Sequence, residues 1–331
     1  MNLNRRKIIK WLVAVLLLAS ATLLFIWRML PFSPYDMQRS AVVIEHRYHY
    51  ALVSGDSTLL YFDGLSHDSL LVNPSDSVSE VVRYSSGCWV NALPLIPSCM
   101  GSIATYIEPG DRRLDDTAFV HKVVGEELTN YENRIAHLKH AKHEVSYYID
   151  THGVNDEGFK RVEDFYAQIK KEKERLELIA GMLRKAAAGT SVHVRKNENI
   201  LVHYSDAFGK TVVKECRYIT PKKPCDAVLL QLKDSITPDG VKPVATWHLL
   251  PFGSAAKRDT VFVVGRTYAA NEEMDYGDLE LIPEYIEGDS FKMFPRTNVS
   301  EGSPVFTRGG IFIGIIGDDK IIRRRQIRKS L

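Results

Sequence analysis

Two proline-free stretches in the middle of the chain, 115–149 and 159–187, carry apolar residues alternately three and four positions apart, the spacing of a helical seam. In the first the seam reads Val124, Leu128, Tyr131, Ile135, Leu138, Lys142, Val145, Ile149; in the second, Phe159, Val162, Tyr166, Ile169, Lys173, Leu176, Ala180, Leu183. Folded back on each other, the pairs Ile149–Phe159, Lys142–Tyr166, Ile135–Lys173 and Leu128–Ala180 have residue numbers adding to 308. The pairs Val145–Val162, Leu138–Ile169, Tyr131–Leu176 and Val124–Leu183 add to 307. One register serves the whole length, so residues 115–187 are expected to form an antiparallel coiled-coil hairpin projecting about 45–50 Å. Lys142 and Lys173 interrupt the seam and would fix its register at some loss of stability. Between the runs, Gly153 offers a C-terminal cap, and Asn155 or Asp156 an N-cap for the second helix.

The flanks read differently. Short β-branched or alternating runs, such as 41–44, 48–53, 58–62 and 78–84, are separated by Gly55-Asp56, Asp63-Gly64 and Asn73-Pro74. The pattern returns at 191–194, 200–204, 211–218, 227–232, 261–265, 279–282 and 310–316. The economical fold class is mainly β, one β domain over residues 40–318 interrupted by the helical hairpin. A chain of 331 residues is long enough for it.

The start of the chain carries its own signal. Residues 11–27 are apolar apart from Ser20 and Thr22, edged by Lys10 and Arg28, and about 26 Å long as a helix. This predicts a single transmembrane anchor over 11–30 behind a basic cytoplasmic tail at 1–10, N-terminus inside and the remainder exported. Ala19-Ser20-Ala21 permits a cleaved signal peptide as the alternative, although Leu23–Trp27 prolongs the run beyond such a cut. Either way the β domain is exported, to the periplasmic or extracellular side.

A net charge of +2 gives no case for a nucleic-acid partner. Basic residues crowd both ends, and 319–331 reads as a basic C-terminal tail, solvated or touching anionic lipid or a partner. Cys88, Cys99, Cys216 and Cys225 lie in the exported part, where they are either disulfides or small buried thiols; four cysteines allow three pairings. No C-x-x-C spacing points to structural zinc. His137, His140 and His143 recur on one helix face, a pattern more often solvated than metal-binding, so no metal and no cofactor is expected.

Thr297-Asn298-Val299-Ser300-Glu301-Gly302-Ser303-Pro304, followed by a strand and the Gly314-Ile315 pair, resembles the nucleophile segment of trypsin-like serine proteases. Asp226-Ala227-Val228-Leu229-Leu230 resembles their triad-aspartate segment, and Pro243-Val244 with Val261–Gly265 resembles the start of their second barrel, in the style of the bacterial high-temperature-requirement proteases. The resemblance covers residues 40–114 and 190–318 and implies a trypsin-like double β-barrel. It puts Asp226 in the place of the triad acid and Glu301 in that of the nucleophile. If Cys88 and Cys99 match the disulfide that flanks the histidine in trypsin, Ser98 takes the histidine's place; in the bacterial style Cys99, Met100 or Gly101 does, and none of these is a histidine.

Acyl transfer of this kind needs a hydroxyl and an imidazole that takes its proton. Glu301 lacks the first and its carboxylate could fill an empty oxyanion hole; Asp226 without a histidine is expected to be a half-buried structural acid. Ser300 and Ser303 flank the site as alternative nucleophiles. The expected protein is therefore a non-catalytic binding or scaffold protein with an unknown protein partner on the hairpin. The alternative is a serine peptidase with a relocated nucleophile.

Overall fold

The computed structural model describes residues 10–20, 22, 31–91, 100–189, 191–246, 258–266, 277, 279–287, 290–291, 299–318 and 320–331. Ser98, Cys99 and most of the expected 21–30 half of the anchor lie outside the described residues. Helix α1 (residues 10–20) leaves Trp11, Leu12, Leu16 and Leu18 exposed. Among the described residues no helix is long and apolar enough to cross a membrane.

The chain divides into two compact units, one comprising Met1–His46, Val82–Glu108 and Asn199–Leu331, the other Arg47–Val81 and Pro109–Glu198. The first is mainly β. Strands β5 (Val81–Asn91), β6 (Ser102–Thr105), β9 (Val228–Leu232), β8 (Thr211–Tyr218), β7 (Val192–Ser205) and β1 (Ala41–Ser54) pair in that order, and β1 pairs in turn with β5. That last pairing closes a six-stranded barrel, which removes exposed sheet edges. Alternation along the strands sends Val42, Ile44, Val202, Tyr204, Leu230 and Leu232 into one cluster with Trp89 and Ile103.

The intervening residues of the same strands join a second cluster. Ala41, Val43, Cys88, Val90, Ala104 and Leu229 pack with Phe306, Phe312, Ile315 and Ile327. Apart from Ile327, these come from an antiparallel sheet of β11 (Arg258–Gly265), β12 (Glu280–Glu287), β13 (Ser290–Phe291), β14 (Pro304–Thr307), β15 (Phe312–Ile316) and β16 (Ile321–Arg323), in the order β13-β12-β11-β14-β15-β16. This sheet does not close among the described residues.

The expected C-terminal tail is instead part of this unit. Ile321 and Ile322 lie in β16, paired to β15, and helix α5 (Arg324–Ser330) buries Ile327 and Ser330. The charges dominate the composition, but the apolar residues among them decide where the segment goes.

In the second unit, α3 (Thr117–Thr151) and α4 (Phe159–Ala188) pack side by side. Asp116 caps α3 by accepting from the Ala118 N–H. The link differs from expectation: His152 is the C-cap, and Gly158, at φ +87°, stands at the start of α4. Asp156 serves the turn, accepting from Gly153 N–H at 2.8 Å. The Lys142 ammonium lies 5.6 Å from the Tyr166 ring centroid, a cation–π contact that accommodates a lysine on the seam, and Lys173 pairs with Glu177 on its own helix at 3.0 Å. Arg134–Glu172 and Arg184–Glu132 also cross between the helices. Near their free ends Val123, Val124, Tyr131, Ile179, Ala180 and Leu183 are buried together with Tyr50 and Leu52 of β1 and Leu60 and Phe62 of β2 (Ser57–Phe62).

Candidate functional site

The segment from Val299 to Pro304 turns sharply between the end of β11 and the start of β14. Its backbone is laced to both neighbours: Ser300 N–H donates to Arg266 C=O at 3.0 Å, Gly302 N–H to Ile316 C=O at 2.8 Å, and Ile316 N–H to Ser303 C=O at 2.9 Å. Ser86 of β5 closes the third side by donating its N–H to Glu301 C=O at 2.7 Å. Gly302 sits at φ +79°, and a Cβ there would lie 1.9 Å from the Ser86 carbonyl oxygen and 2.7 Å from Thr105 Oγ1. Only glycine fits, for conformation and for space.

Beneath the turn lies a chain of hydroxyls. Ser86 Oγ is 2.6 Å from Ser300 Oγ, which is 3.0 Å from Ser303 Oγ; Ser303 donates to Ser300 C=O at 2.6 Å, and Thr105 donates to Ser86 C=O at 2.5 Å. Arg266 N–H reaches Ser300 Oγ at 3.4 Å. Ser86, Thr105, Ser300 and Ser303 are all 0% exposed. Burying four hydroxyls is tolerable because each finds partners inside the cluster. Every partner of Ser300 Oγ and Ser303 Oγ here is a hydroxyl, an amide or a carbonyl, so neither oxygen is held by a group able to take its proton.

Glu301 caps this arrangement. Its side chain is half-exposed, and its carboxylate, with those of Asp318, Glu108 and Asp226, pushes the Tyr106 phenol up from its ordinary range, after the larger effect of partial burial. Asp226 and Glu301 thus both reach the field around Tyr106. Asp226 is not half-buried as expected. It stands exposed ahead of β9 and pairs with Lys320 at 2.9 Å, whose ammonium is held protonated above its usual range by that hydrogen bond. Asp226 is therefore partnered by an ammonium, which cannot relay a proton from a serine at neutral pH.

Ser98, expected in the histidine's place, lies outside the described residues. A part-buried imidazole–carboxylate pair occurs among the described residues of this unit, His203 Nε2 with Glu45 Oε2 at 2.7 Å, between β7 and β1. Cys88, Cys216 and Cys225 carry free thiols and not disulfides, and Cys99 lies outside the described residues. Burial pushes Cys216 up to about 12 and Cys88 higher still, so neither supplies a thiolate at neutral pH. Among the described residues no group of three or more His, Cys, Asp or Glu side chains is placed to hold a metal ion.

The sequence pattern pointed to Ser300, Glu301, Ser303 and Asp226 but not to Ser86, Thr105, Tyr106 or Lys320. Ser86 and Ser300 are 214 residues apart, and nothing local to either marks the bond between them.

No protein family matches the chain, and no curated protein does. Among solved structures the chain is similar to the crystal structure of Deg5, with 12% identity over 88% of this chain and 87% of that chain, at a TM-score of 0.35. A likeness of that size does not assign a fold.

Proposed function

We propose that this is a membrane-anchored, exported protein whose trypsin-like domain binds or scaffolds instead of cleaving, with the helix pair α3–α4 as its contact element. The observation that carries the reading is the closed hydroxyl cluster. Where the resemblance asks for an exposed, base-activated serine there is a glutamate, and the two neighbouring serines are buried with their protons committed to one another and to a carbonyl. The fold reading rests on a closed six-stranded barrel followed by a six-stranded antiparallel sheet, with the Glu301 turn before β14 and Asp226 before β9.

Two further observations support the rest. Trp11, Leu16 and Leu18 of α1 are 74%, 72% and 71% exposed, and a helix apolar on all sides is at home in lipid. The helix pair leaves Tyr147, Val154 and Phe165 exposed toward its connected end, at 71%, 77% and 52%.

The test is an assay of the purified full chain against an unfolded protein and an activated ester, with a fluorophosphonate label alongside. No turnover and no label is the expected result. Turnover that disappears in Ser300→Ala or Ser303→Ala would establish the peptidase with a relocated nucleophile. Whether the helix pair contacts a second copy is read by sizing Tyr147→Asp/Phe165→Asp against the parent: a smaller particle in the variant assigns the contact to self-association, an unchanged one to another protein.

A further inference from the structure

Four of the seven residues of α5, Arg324, Arg325, Arg328 and Lys329, are cationic, its N-cap is Arg323, and residues 320–331 contain no acid. Arg323, Arg324 and Arg325 stand at the positive end of the helix dipole, where cations are unfavourable. Arg324 is half-buried, and burial together with Arg328 and Arg323 pulls its guanidinium below the usual range. Arg324 is used within the fold, where it donates to Phe312 C=O, but exposed Arg325 and Lys329 add positive charge to a segment with no acidic side chain, which suits an anionic partner. Lys222 and Lys223 extend the patch, since Lys222 N–H donates to the Ser330 carbonyl at 2.9 Å. Arg325, Lys329, Lys222 and Lys223 are all exposed.

A second observation, independent of charge, says what that partner is. Phe32 is fixed to the same part of this unit: its N–H donates to Gly310 C=O at 2.8 Å, and its ring stacks on Phe306 at 5.8 Å. Phe306 touches Phe312 at 5.7 Å, and Phe312 C=O accepts from Arg324 Nη1 at 3.3 Å. A Cβ on Gly310 would fall 2.1 Å from Phe32 C=O, so the seat is built for this segment. The apolar run ends at Trp27, and five residues span at most roughly 18 Å. The point where the chain leaves the run is therefore tethered within that reach of a surface two aromatic rings from α5.

We infer that the basic face of α5, with Lys222 and Lys223, docks on the anionic phospholipid headgroups of the bilayer that holds residues 11–30. The inference rests on the anchored reading proposed above. Each Lys or Arg near an anionic surface contributes about fivefold in association at physiological salt. A short tether also raises the effective concentration of that surface.

The full chain is placed in nanodiscs of phosphatidylcholine alone or with phosphatidylglycerol, and lysine acylation by a water-soluble reagent is followed residue by residue. Acylation of Lys222, Lys223 and Lys329 is expected to slow about fivefold or more in the anionic discs, with exposed Lys171 of α4 unchanged. The slowing should vanish near 1 M salt, where screening shortens to about 3 Å, and weaken in Arg325→Glu, whose exposed position spares the fold. Equal rates at the three lysines in both discs, or slowing that includes Lys171, overturns the inference. A chain that fails to join the neutral discs overturns the anchor instead. Slowing of the same three lysines by added anionic vesicles would then leave the basic face standing without it.

Discussion

The Glu301 turn and the helix pair are built on opposite terms. At the turn the hydroxyls of Ser86, Thr105, Ser300 and Ser303 belong to residues that are 0% exposed, and the backbone is bonded on three sides. Along the helices burial is graded. Seam residues Val124, Tyr131, Ile135, Leu176 and Leu183 are buried, whereas Leu138, Val145, Ile149, Val162 and Tyr166 are half-buried. Two helices bury only part of a shared seam. Phe159 and Ile169 are buried as well, but the longest buried stretch is where β1 and β2 add a third layer, as around Leu183 and Val124. The turn is thus fixed by its own packing, while the connected end of the helix pair keeps apolar surface available for contact.

The contrast is broken most severely at Gly302. Gly302→Ala places a methyl 1.9 Å from a buried carbonyl at a positive φ, and is expected to lose more than about 4 kcal/mol or to abolish folding of this unit, as read by urea unfolding. A loss below about 1 kcal/mol would mean the turn is looser than its bonding implies. Leu183→Ala should lose about 2–5 kcal/mol, against less than about 1 kcal/mol for Val145→Ala. Equal effects at the two positions would show that the half-buried end is covered in solution. Ser300→Ala should lose about 1–3 kcal/mol, because Ser86 and Ser303 lose a partner in a dry site.

The helix pair also contains a pH-dependent element. Glu127 is 6% exposed, its Oε2 has no hydrogen-bond partner, and burial raises its carboxyl above the ordinary range, more than the Leu71 N–H and Arg134 lower it. The folded state then holds a proton that the unfolded state releases near pH 4.3. Stability of this unit should be fullest below that value and fall as pH rises to the folded group's higher pKa. Glu127→Gln should flatten the profile, measured by amide exchange in α3 between pH 4 and 8. An unchanged slope would assign the dependence to another group.

The helices were legible because periodicity is local: 115–149 and 159–187 were expected, and Thr117–Thr151 and Phe159–Ala188 are found. Strand positions were legible for the same reason, though β1 and β7 each join two expected runs, since the bends between them do not break pairing. Glu301 and Asp226 were singled out only as members of short motifs. What surrounds them was not. The Ser86–Ser300 bond and the Asp226–Lys320 pair join segments whose proximity only the fold decides. Lys320 was read with its basic neighbours as part of a tail, because charge is conspicuous in sequence and the burial of Ile321, Ile322 and Ile327 is not.

The smallest expected effects sharpen the contrast most directly, because they use the same residue type as the largest. Gly125 in α3 and Gly181 in α4 are helical glycines with nothing within 4 Å of where a Cβ would sit. In a free helix, Gly→Ala lowers the backbone entropy of the unfolded chain and gains about 0.5–1 kcal/mol. Gly125→Ala and Gly181→Ala are therefore expected to raise the unfolding midpoint of this unit slightly, as Gly302→Ala destroys the other. A destabilising result at either site, in a chain whose own atoms leave that space open, would mean that another surface approaches the helix closely there in solution. Small residues permit such an approach, and the affected position would then place a contact face near the free ends of the helices, apart from the exposed Tyr147 and Phe165 at the connected end.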